Sequence, residues 1–428
     1  TTLFRSRDVK GVLIESDYTR YSFTSNIEHN LFDRITIGEN LHLSYSDRAD
    51  SYTHTSSGWS GVMQQAVTAA PQFPIYYDGQ FAFGLADDRP FYGDGNNPVW
   101  GAENGGTNHL TRVNGNAYID VNILNGLDFK TSLGIDYSNN EYDNYTPPKV
   151  LARVPREDIM ENRFSKNQNW SWYNTLTYTN TFGKSNITLL VGNSLERALV
   201  SRFSASRQNL VSTAEPFHFI DFGNPEKQST SGDAGELALS SQFGRLNYNF
   251  DERYLLTATI RRDGSSRFLE NEDKYGIFPS VSLAWRVTQE NFMQNITALD
   301  NMKLRFGWGK VGNQFVGSYY PYLDVLALNY NYPFGPGDGT LNTGIAEASR
   351  GNPALTWESN VMTNVGLDLG FFGGKWSIVA DYFINTTEDM LLSVALPAVG
   401  GKSLVPNQNA GSVETKGFEV DTRYHFDI

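Results

Sequence analysis

Between Tyr254 and Val287 the chain repeats one pattern that leaves few folds open to it: every second residue is apolar. Tyr254, Leu256, Ala258 and Ile260 alternate with Leu255, Thr257, Thr259 and Arg261. After a loop, Val281, Leu283, Trp285 and Val287 alternate with Ser280, Ser282, Ala284 and Arg286. Successive side chains on a strand point to opposite faces, so each segment reads as a strand with one apolar and one mostly polar face. A soluble sandwich and a transmembrane barrel are both built from such strands. The connections between strands separate the two.

The unit recurs along the chain. Ile35, Ile37, Leu41, Leu43 and Tyr45 share one face after a turn through Leu31, Phe32 and Asp33, and Glu39 interrupts that row. An outward carboxylate at mid-membrane costs on the order of 1 kcal/mol or more, so a bulge or an interfacial position is expected at Glu39. Asn125-Gly126 is a strong hairpin turn. Further short turns fall at Phe182-Gly183-Lys184, Asp251-Glu252 and Phe371-Phe372-Gly373-Gly374, and a one-turn helical connection is expected between Val287 and Met302. Val62 to Ala70 reads as a short helix before Pro71. Period-two counting finds about thirteen strands.

Short connections of roughly 4–15 residues are expected to alternate strictly with long ones reaching roughly 60, far beyond ordinary loops. An outer-membrane barrel has this bias, with periplasmic turns and extracellular loops, whereas a sandwich spreads its loops over both ends. Aromatics beside the short turns (Tyr248, Phe250, Tyr254, Phe371, Phe372, Trp376) fit a periplasmic girdle. The fold class expected is therefore all-β, an antiparallel transmembrane barrel.

Composition is compatible with that and excludes much else. Charged residues make up 19% of the chain, the mean hydropathy is −0.41, and no run of about 18 apolar residues occurs, so helical spans are excluded. Barrel strands turn only alternate residues to lipid and keep the mean low. With 34 basic and 47 acidic residues the net charge is −13, and no nucleic acid is expected as a partner. The chain has no cysteine, so disulfides and thiolate metal sites are excluded.

Several segments carry a resemblance. Phe243-Gly244-Arg245-Leu246-Asn247-Tyr248-Asn249-Phe250 is followed by the run from Tyr254 through Arg261-Arg262-Asp263-Gly264-Ser265-Ser266-Arg267-Phe268. Then come Gly276-Ile277-Phe278-Pro279-Ser280, Leu304-Arg305-Phe306-Gly307-Trp308-Gly309-Lys310-Val311-Gly312-Asn313 and Asn352-Pro353-Ala354-Leu355-Thr356-Trp357-Glu358. Gly366-Leu367-Asp368-Leu369-Gly370, Asn409-Ala410-Gly411 and Lys416-Gly417-Phe418-Glu419 complete the set. In this order, over nearly the whole chain, they resemble the SusC/RagA family of TonB-dependent outer-membrane transporters of Bacteroidetes.

The resemblance implies import of a large nutrient, an oligosaccharide or peptide, through a multi-pass barrel of about 22 strands with a plugged lumen. It implies a SusD-like surface lipoprotein as partner, energy from the TonB complex acting on the N-terminal region, a dimer of transporter–lipoprotein pairs, and the outer membrane of a Gram-negative bacterium. Residues 1–428 carry no recognisable plug domain or TonB box and lack the last strands of such a barrel. An open barrel would leave unpaired edges in lipid, so the chain is expected to be part of the C-terminal barrel domain of a longer polypeptide.

No enzymatic chemistry stands out. Gly307-Trp308-Gly309-Lys310-Val311-Gly312 matches G-x-G-x-x-G, but a dinucleotide site needs a helix next, and Asn313-Gln314-Phe315-Val316-Gly317 does not read as one. The six histidines lack metal-ligand spacing, and no G-x-S-x-G elbow occurs. Acids at Asp87, Asp88 and Asp94 and at Glu270, Glu272 and Asp273 could hold a loop calcium, although none has EF-hand spacing; no other cofactor is expected.

Aromatic rings with nearby Asp and Arg suit cargo capture or lipoprotein contact. The candidates are Trp59, Tyr76, Tyr77, Asp78, Arg89 and Trp100 in the first long loop and Tyr319, Tyr320 and Tyr322 in a later one. Packing of the loops on one another is the competing role for those rings. The alternative function is a surface adhesin or lectin-like β protein without transport, which would need a closed soluble core. A hydrolase using paired loop carboxylates would need a pair that the spacing does not single out.

Overall fold

The structure, a computed structural model, describes residues 1–50, 61–72, 74–77, 79–82, 97–151, 154–269, 274–293, 295–328, 330–334, 340–394 and 406–426. One antiparallel sheet of fourteen strands dominates it. The strands are β1 Thr2–Lys10, β2 Asp17–Leu31, β3 Ile35–Asp50, β4 Gly106–Leu124, β5 Leu127–Thr146, β6 Ile159–Phe182 and β7 Ser185–Gln208. They continue as β8 Gln228–Phe250, β9 Tyr254–Ser265, β10 Tyr275–Arg286, β11 Leu299–Asn313, β12 Glu358–Phe371, β13 Trp376–Glu388 and β14 Val413–Tyr424. Spatial order follows chain order, and among the described residues β1 and β14 each have one partner, so the sheet is open at both edges.

Register gathers like side chains into rows. One row runs Ile187, Tyr248, Leu256, Leu283, Phe306, Val365, Tyr382 and Phe418 across β7 to β14. The opposite face carries the row Thr188, Asn247, Thr257, Ser282, Gly307, Asn364, Phe383 and Gly417. A slip of one residue in any strand would exchange its two faces, so the alternation itself fixes the register.

The short turns are staggered. A pairing row through Phe182, Ser185, Phe250, Tyr254, Trp285, Leu304, Leu367 and Ala380 meets the turns after β6 and β8 directly. The turn after β12 ends at Trp376, four residues below Ala380. The turn after β2 joins the row of Leu31, Ile35, Val121, Phe129 and Leu176, six residues above Phe182. The offset is about one residue per strand, the shear of a barrel whose strands tilt near 36°. In strands tilted that way the turns lie close to one plane.

The turns obey local chemistry. Phe32 and Asp33 (φ 53 and 59), like Asp251 and Glu252 (φ 54 and 56), take left-handed backbones in consecutive positions, the requirement of tight hairpins. Lys184 Nζ and Asp251 Oδ2, 2.9 Å apart, tie two neighbouring turns together. After β10 the chain makes two short 3-10 turns, Val287–Gln289 and Asn291–Met293, with Val287 buried. Glu290, between them, accepts hydrogen bonds from the Tyr254 hydroxyl (2.6 Å), Trp285 Nε1 (3.1 Å) and Arg253 Nη1 (3.4 Å). The girdle aromatics pair at the same end, Phe250 with Tyr254 and Phe371 with Trp376.

On the polar face, two long side chains cross a neighbouring strand at a glycine. Arg305 on β11 reaches over Gly366 on β12 to Asp381 on β13 (3.0 Å) while also bonding Asp368 (2.8 Å). Tyr118 on β4 passes over Gly38 on β3 to Glu28 on β2 (2.7 Å). A Cβ at Gly366 would stand 2.5 Å from the Arg305 guanidinium carbon, and one at Gly38 would stand 2.2 Å from the Tyr118 ring.

The sheet has fourteen strands, in agreement with the count of about thirteen. Three other expectations need correction. Connections do not alternate strictly in length: residues 11–16, on the long-loop side, are fewer than residues 287–298 on the turn side. β6 and β7 run 24 residues each, longer than period-two alternation alone indicates, because the ladder continues through far ends that are mostly polar but pair Phe164 with Phe203. Of the two outcomes expected at Glu39, a bulge does not form, since the register through Ile27, Glu39 and Ala117 is unbroken; Ser25 Oγ donates to its carboxylate at 2.8 Å.

Gly366→Ala is expected to push Arg305 off Asp381 and lower stability by about 1–3 kcal/mol in urea unfolding from vesicles. The loss should shrink when Asp381→Asn is already present. The three donors, Tyr254 first, hold the Glu290 carboxyl below its ordinary value. A depressed carboxylate contributes stability above its unfolded pKa, near 4.3, and loses it as pH falls through the lower folded value. Wild type should therefore lose stability more steeply than Glu290→Gln below about pH 4, read by heat-modifiable gel mobility.

Candidate functional site

Two regions of the polar face are built for something other than bracing the sheet. The first is a recess of about 550 Å³ on β10, β11 and β12. Its floor is Gly307, Gly309 and Met362, and Thr257, Ser282 and Asn364 stand at its rim. Among the glycines of the fourteen strands, Gly307 alone has nothing within 4 Å of where a Cβ would be. Among the described residues no neighbouring group accounts for its missing side chain. The G-x-G-x-x-G run thus lies within strand β11, its Gly307 and Gly309 line the recess, and among the described residues no helix follows it.

The second region is the long-loop end, where a small core forms among the described residues. Phe268, Phe278, Leu355 and Trp357 are buried together, with Leu239 and Leu391 against them. Trp357 lies 5.4 Å from Phe268 and 5.3 Å from Phe278 by ring centroid, and its Nε1 donates to the Lys274 carbonyl (3.1 Å). Asparagines stitch the loops: Asn352 Nδ2 donates to the Asn407 carbonyl, Asn407 Nδ2 to that of Val316, and Asn409 Nδ2 to those of Thr356 and Asp389. Glu358 accepts from the Leu391 amide and Asn313 Nδ2. The Asn352–Glu358 and Asn409–Gly411 segments therefore hold the mouth in shape.

Arg267 lies beside this core and is only 9% exposed. Its Nη1 donates to the Gln314 carbonyl (3.1 Å), and its guanidinium stands over the rings of Phe315 (5.6 Å) and Tyr319 (5.8 Å). Nε has no partner. Burial pulls its pKa below the usual arginine value. Sequence reasoning did not single this residue out, because its burial depends on a loop about fifty positions away.

Of the ring candidates, Tyr319 covers Gly235 on β8 and Tyr320 Oη accepts the Glu236 amide (3.2 Å), so both pack on the sheet near Arg267. Tyr322 lies in the same loop, its backbone against Gly351. Tyr76 and Tyr77 form a two-residue strand with Gln80–Phe81; both are exposed, and Tyr76 contacts the Phe81 ring at 4.8 Å. Trp100 is 4% exposed, buried in the helix Pro98–Glu103 that Asn97 caps. That helix packs on a second one, Val62–Thr68. Trp59, Asp78 and Arg89 lie outside the described residues, as do Asp87, Asp88, Asp94, Glu270, Glu272 and Asp273. Among the described residues no group of three or more His, Asp or Glu is placed to hold a metal.

A staggered sheet with one apolar face, one polar face and a loop core at a single end is the wall of a transmembrane barrel. Residues 65–428 match the family model described as TonB dependent receptor-like, beta-barrel, and the chain belongs to that family. TonB-dependent receptor P3 of Formosa agariphila is 30% identical over 414 residues, covering 96% of this chain and 40% of that protein. TonB-dependent receptor SusC of Bacteroides thetaiotaomicron is 27% identical, covering 96% and 42%. A solved structure of the RagAB peptide transporter superposes with a TM-score of 0.80 at 23% identity, covering 98% of this chain and 46% of that one. The chain thus spans under half the length of these relatives. The family consists of TonB-dependent transporters of the Gram-negative outer membrane, not enzymes.

Trp357→Ala removes the ring that joins Phe268 to Phe278, a change that costs about 3–5 kcal/mol in a packed core. Limited proteolysis on intact cells should then cut within residues 314–357 much faster than in wild type, with the barrel still migrating as folded.

Proposed function

We propose that this chain forms part of the barrel wall of a TonB-dependent importer in the outer membrane of a Bacteroidetes bacterium. The cargo is an oligosaccharide or a peptide. Residues 1–428 would belong to a C-terminal barrel domain, with a plug, a TonB-contacting segment and further strands supplied elsewhere in a longer polypeptide. A SusD-like lipoprotein would cover the long-loop end, and two such pairs would form a dimer.

The observation that carries this is the division of the sheet into two surfaces within one family-matched barrel. The apolar rows of Leu256, Leu283 and Phe306 suit lipid, and the polar rows around Gly307 suit a lumen. The four-residue core of Phe268, Phe278, Leu355 and Trp357 sits under the loops, where the adhesin alternative would need a core spanning the sheet. Names of relatives agree in direction, one being SusC and one a peptide transporter. A loop calcium at the acids of residues 87–94 or 270–273 stays a subsidiary proposal.

The test is to isolate the protein from outer membranes in detergent and identify what accompanies it, then delete its gene and measure uptake. A polypeptide about twice this length bound to a SusD-like lipoprotein, and loss of uptake of one glycan or peptide class on deletion, is the expected result. Purification alone, with no uptake defect on any glycan or peptide, would overturn the reading.

A further inference from the structure

Cations on the apolar face follow a line. Measured from the pairing row of Ser185, Tyr254, Leu304 and Val420, Arg197 stands twelve residues above it, Arg262 eight, Lys310 six and Lys416 four. The turns descend across the sheet in the same sense, so these cations stand between eight and twelve residues above the turn ends of their own strands. That height is close to one crossing by tilted strands, about 9–11 residues. They mark the level where the apolar band ends on the long-loop side.

Two of the four are neutralised: Arg197 by Glu236 (2.7 Å) and Lys416 by Glu414 (2.7 Å). On β9 to β11 the charge is left open. Arg262 lies over the Tyr275 ring at 3.7 Å and donates to Gln242 Oε1 at 3.1 Å, and it meets no carboxylate among the described residues. Neither does Lys310, nor Lys274 next to Tyr275. Lys274, Tyr275, Gly264, Ala238 and Trp170 line a shallow recess of about 280 Å³, bordered by Arg197. The carboxylate at its edge, Glu196, is taken by the Tyr173 hydroxyl. Directly below, Ile260 and Ile277 expose more than half of their surface.

We propose that this rim of β9–β11 binds the phosphate of an outer-leaflet lipid. A cation bordering hydrocarbon is stable when its charged end reaches the headgroup level, and arginine's planar fork suits phosphate oxygens. Acyl chains would lie on Ile260 and Ile277, which favours a lipid-borne phosphate over a free one. The inference rests on the apolar face meeting membrane and not on what is imported, so cargo uptake is a separate readout.

Native mass spectrometry of the full-length protein in mixed micelles tests it, with lipid A as the probe and phosphatidylcholine and inorganic phosphate as comparisons. Wild type should retain lipid A selectively. Arg262→Gln with Lys310→Gln should raise the half-saturating lipid A fraction roughly thirtyfold, while Arg197→Gln with Lys416→Gln, at the same height, should change it less than about threefold. If the first pair fails to fold by heat-modifiable mobility, Tyr275→Leu is read instead and should weaken binding in the same direction. Unchanged lipid A retention in the folded variant, equal retention of phosphatidylcholine, or full displacement by millimolar inorganic phosphate would each overturn the proposal.

Discussion

A peptide group in hydrocarbon has no water to bond, so every strand that crosses a bilayer must have a neighbour on both sides. The rest of this structure depends on that constraint. It dictates the antiparallel ladder from β1 to β14, in which every strand between those two has a partner on each side. It also explains why register is so regular: among the thirteen strand pairings of the main sheet, breaks occur only near turns, at Asn122/Leu124 and Leu299/Asn301. With the ladder fixed, period two assigns each side chain to one of two solvents.

Inside, the sheet is held by more than its ladder. Arg305 over Gly366 and Tyr118 over Gly38 span three strands each, and the glycine in the middle strand gives the crossing side chain its space. Strand glycines usually weaken a sheet; at these two positions the crossing group occupies the vacated volume. Gly307 differs, having no such tenant among the described residues. A surface left open in an otherwise filled wall is where an object in the lumen would rest.

The strands, the tight turns and the short helix before Pro71 were legible in the sequence because each has a local cause: alternation, left-handed turn residues, an apolar run ended by proline. The far ends of β6 and β7 were not, since Asn, Ser, Lys and Arg interrupt the alternation there. At Glu39 the bulge does not form, and the carboxylate's partner is Ser25 across the ladder, which a reading along the chain does not reveal. The site was less legible still. Aromatic richness singled out Tyr319 and Tyr320, which pack against β8, but nothing local distinguished buried Trp100 from exposed Tyr76. Arg267 became visible only once Gln314 and Tyr319 folded back over it.

The central claim is that the two faces of one sheet meet two solvents. Because the chain contains no cysteine, single cysteines can be placed along β9 and β10 without background. The most direct measurement is spin-label accessibility at these sites in vesicles, comparing oxygen, which partitions into lipid, with a water-soluble nickel chelate. Labels at Leu256, Ile260, Val281 and Leu283 should favour oxygen, and labels at Thr257, Thr259, Ser280 and Ser282 should not, giving a period of two. Equal nickel access on both rows would contradict the account, because the sheet would then have water on each side.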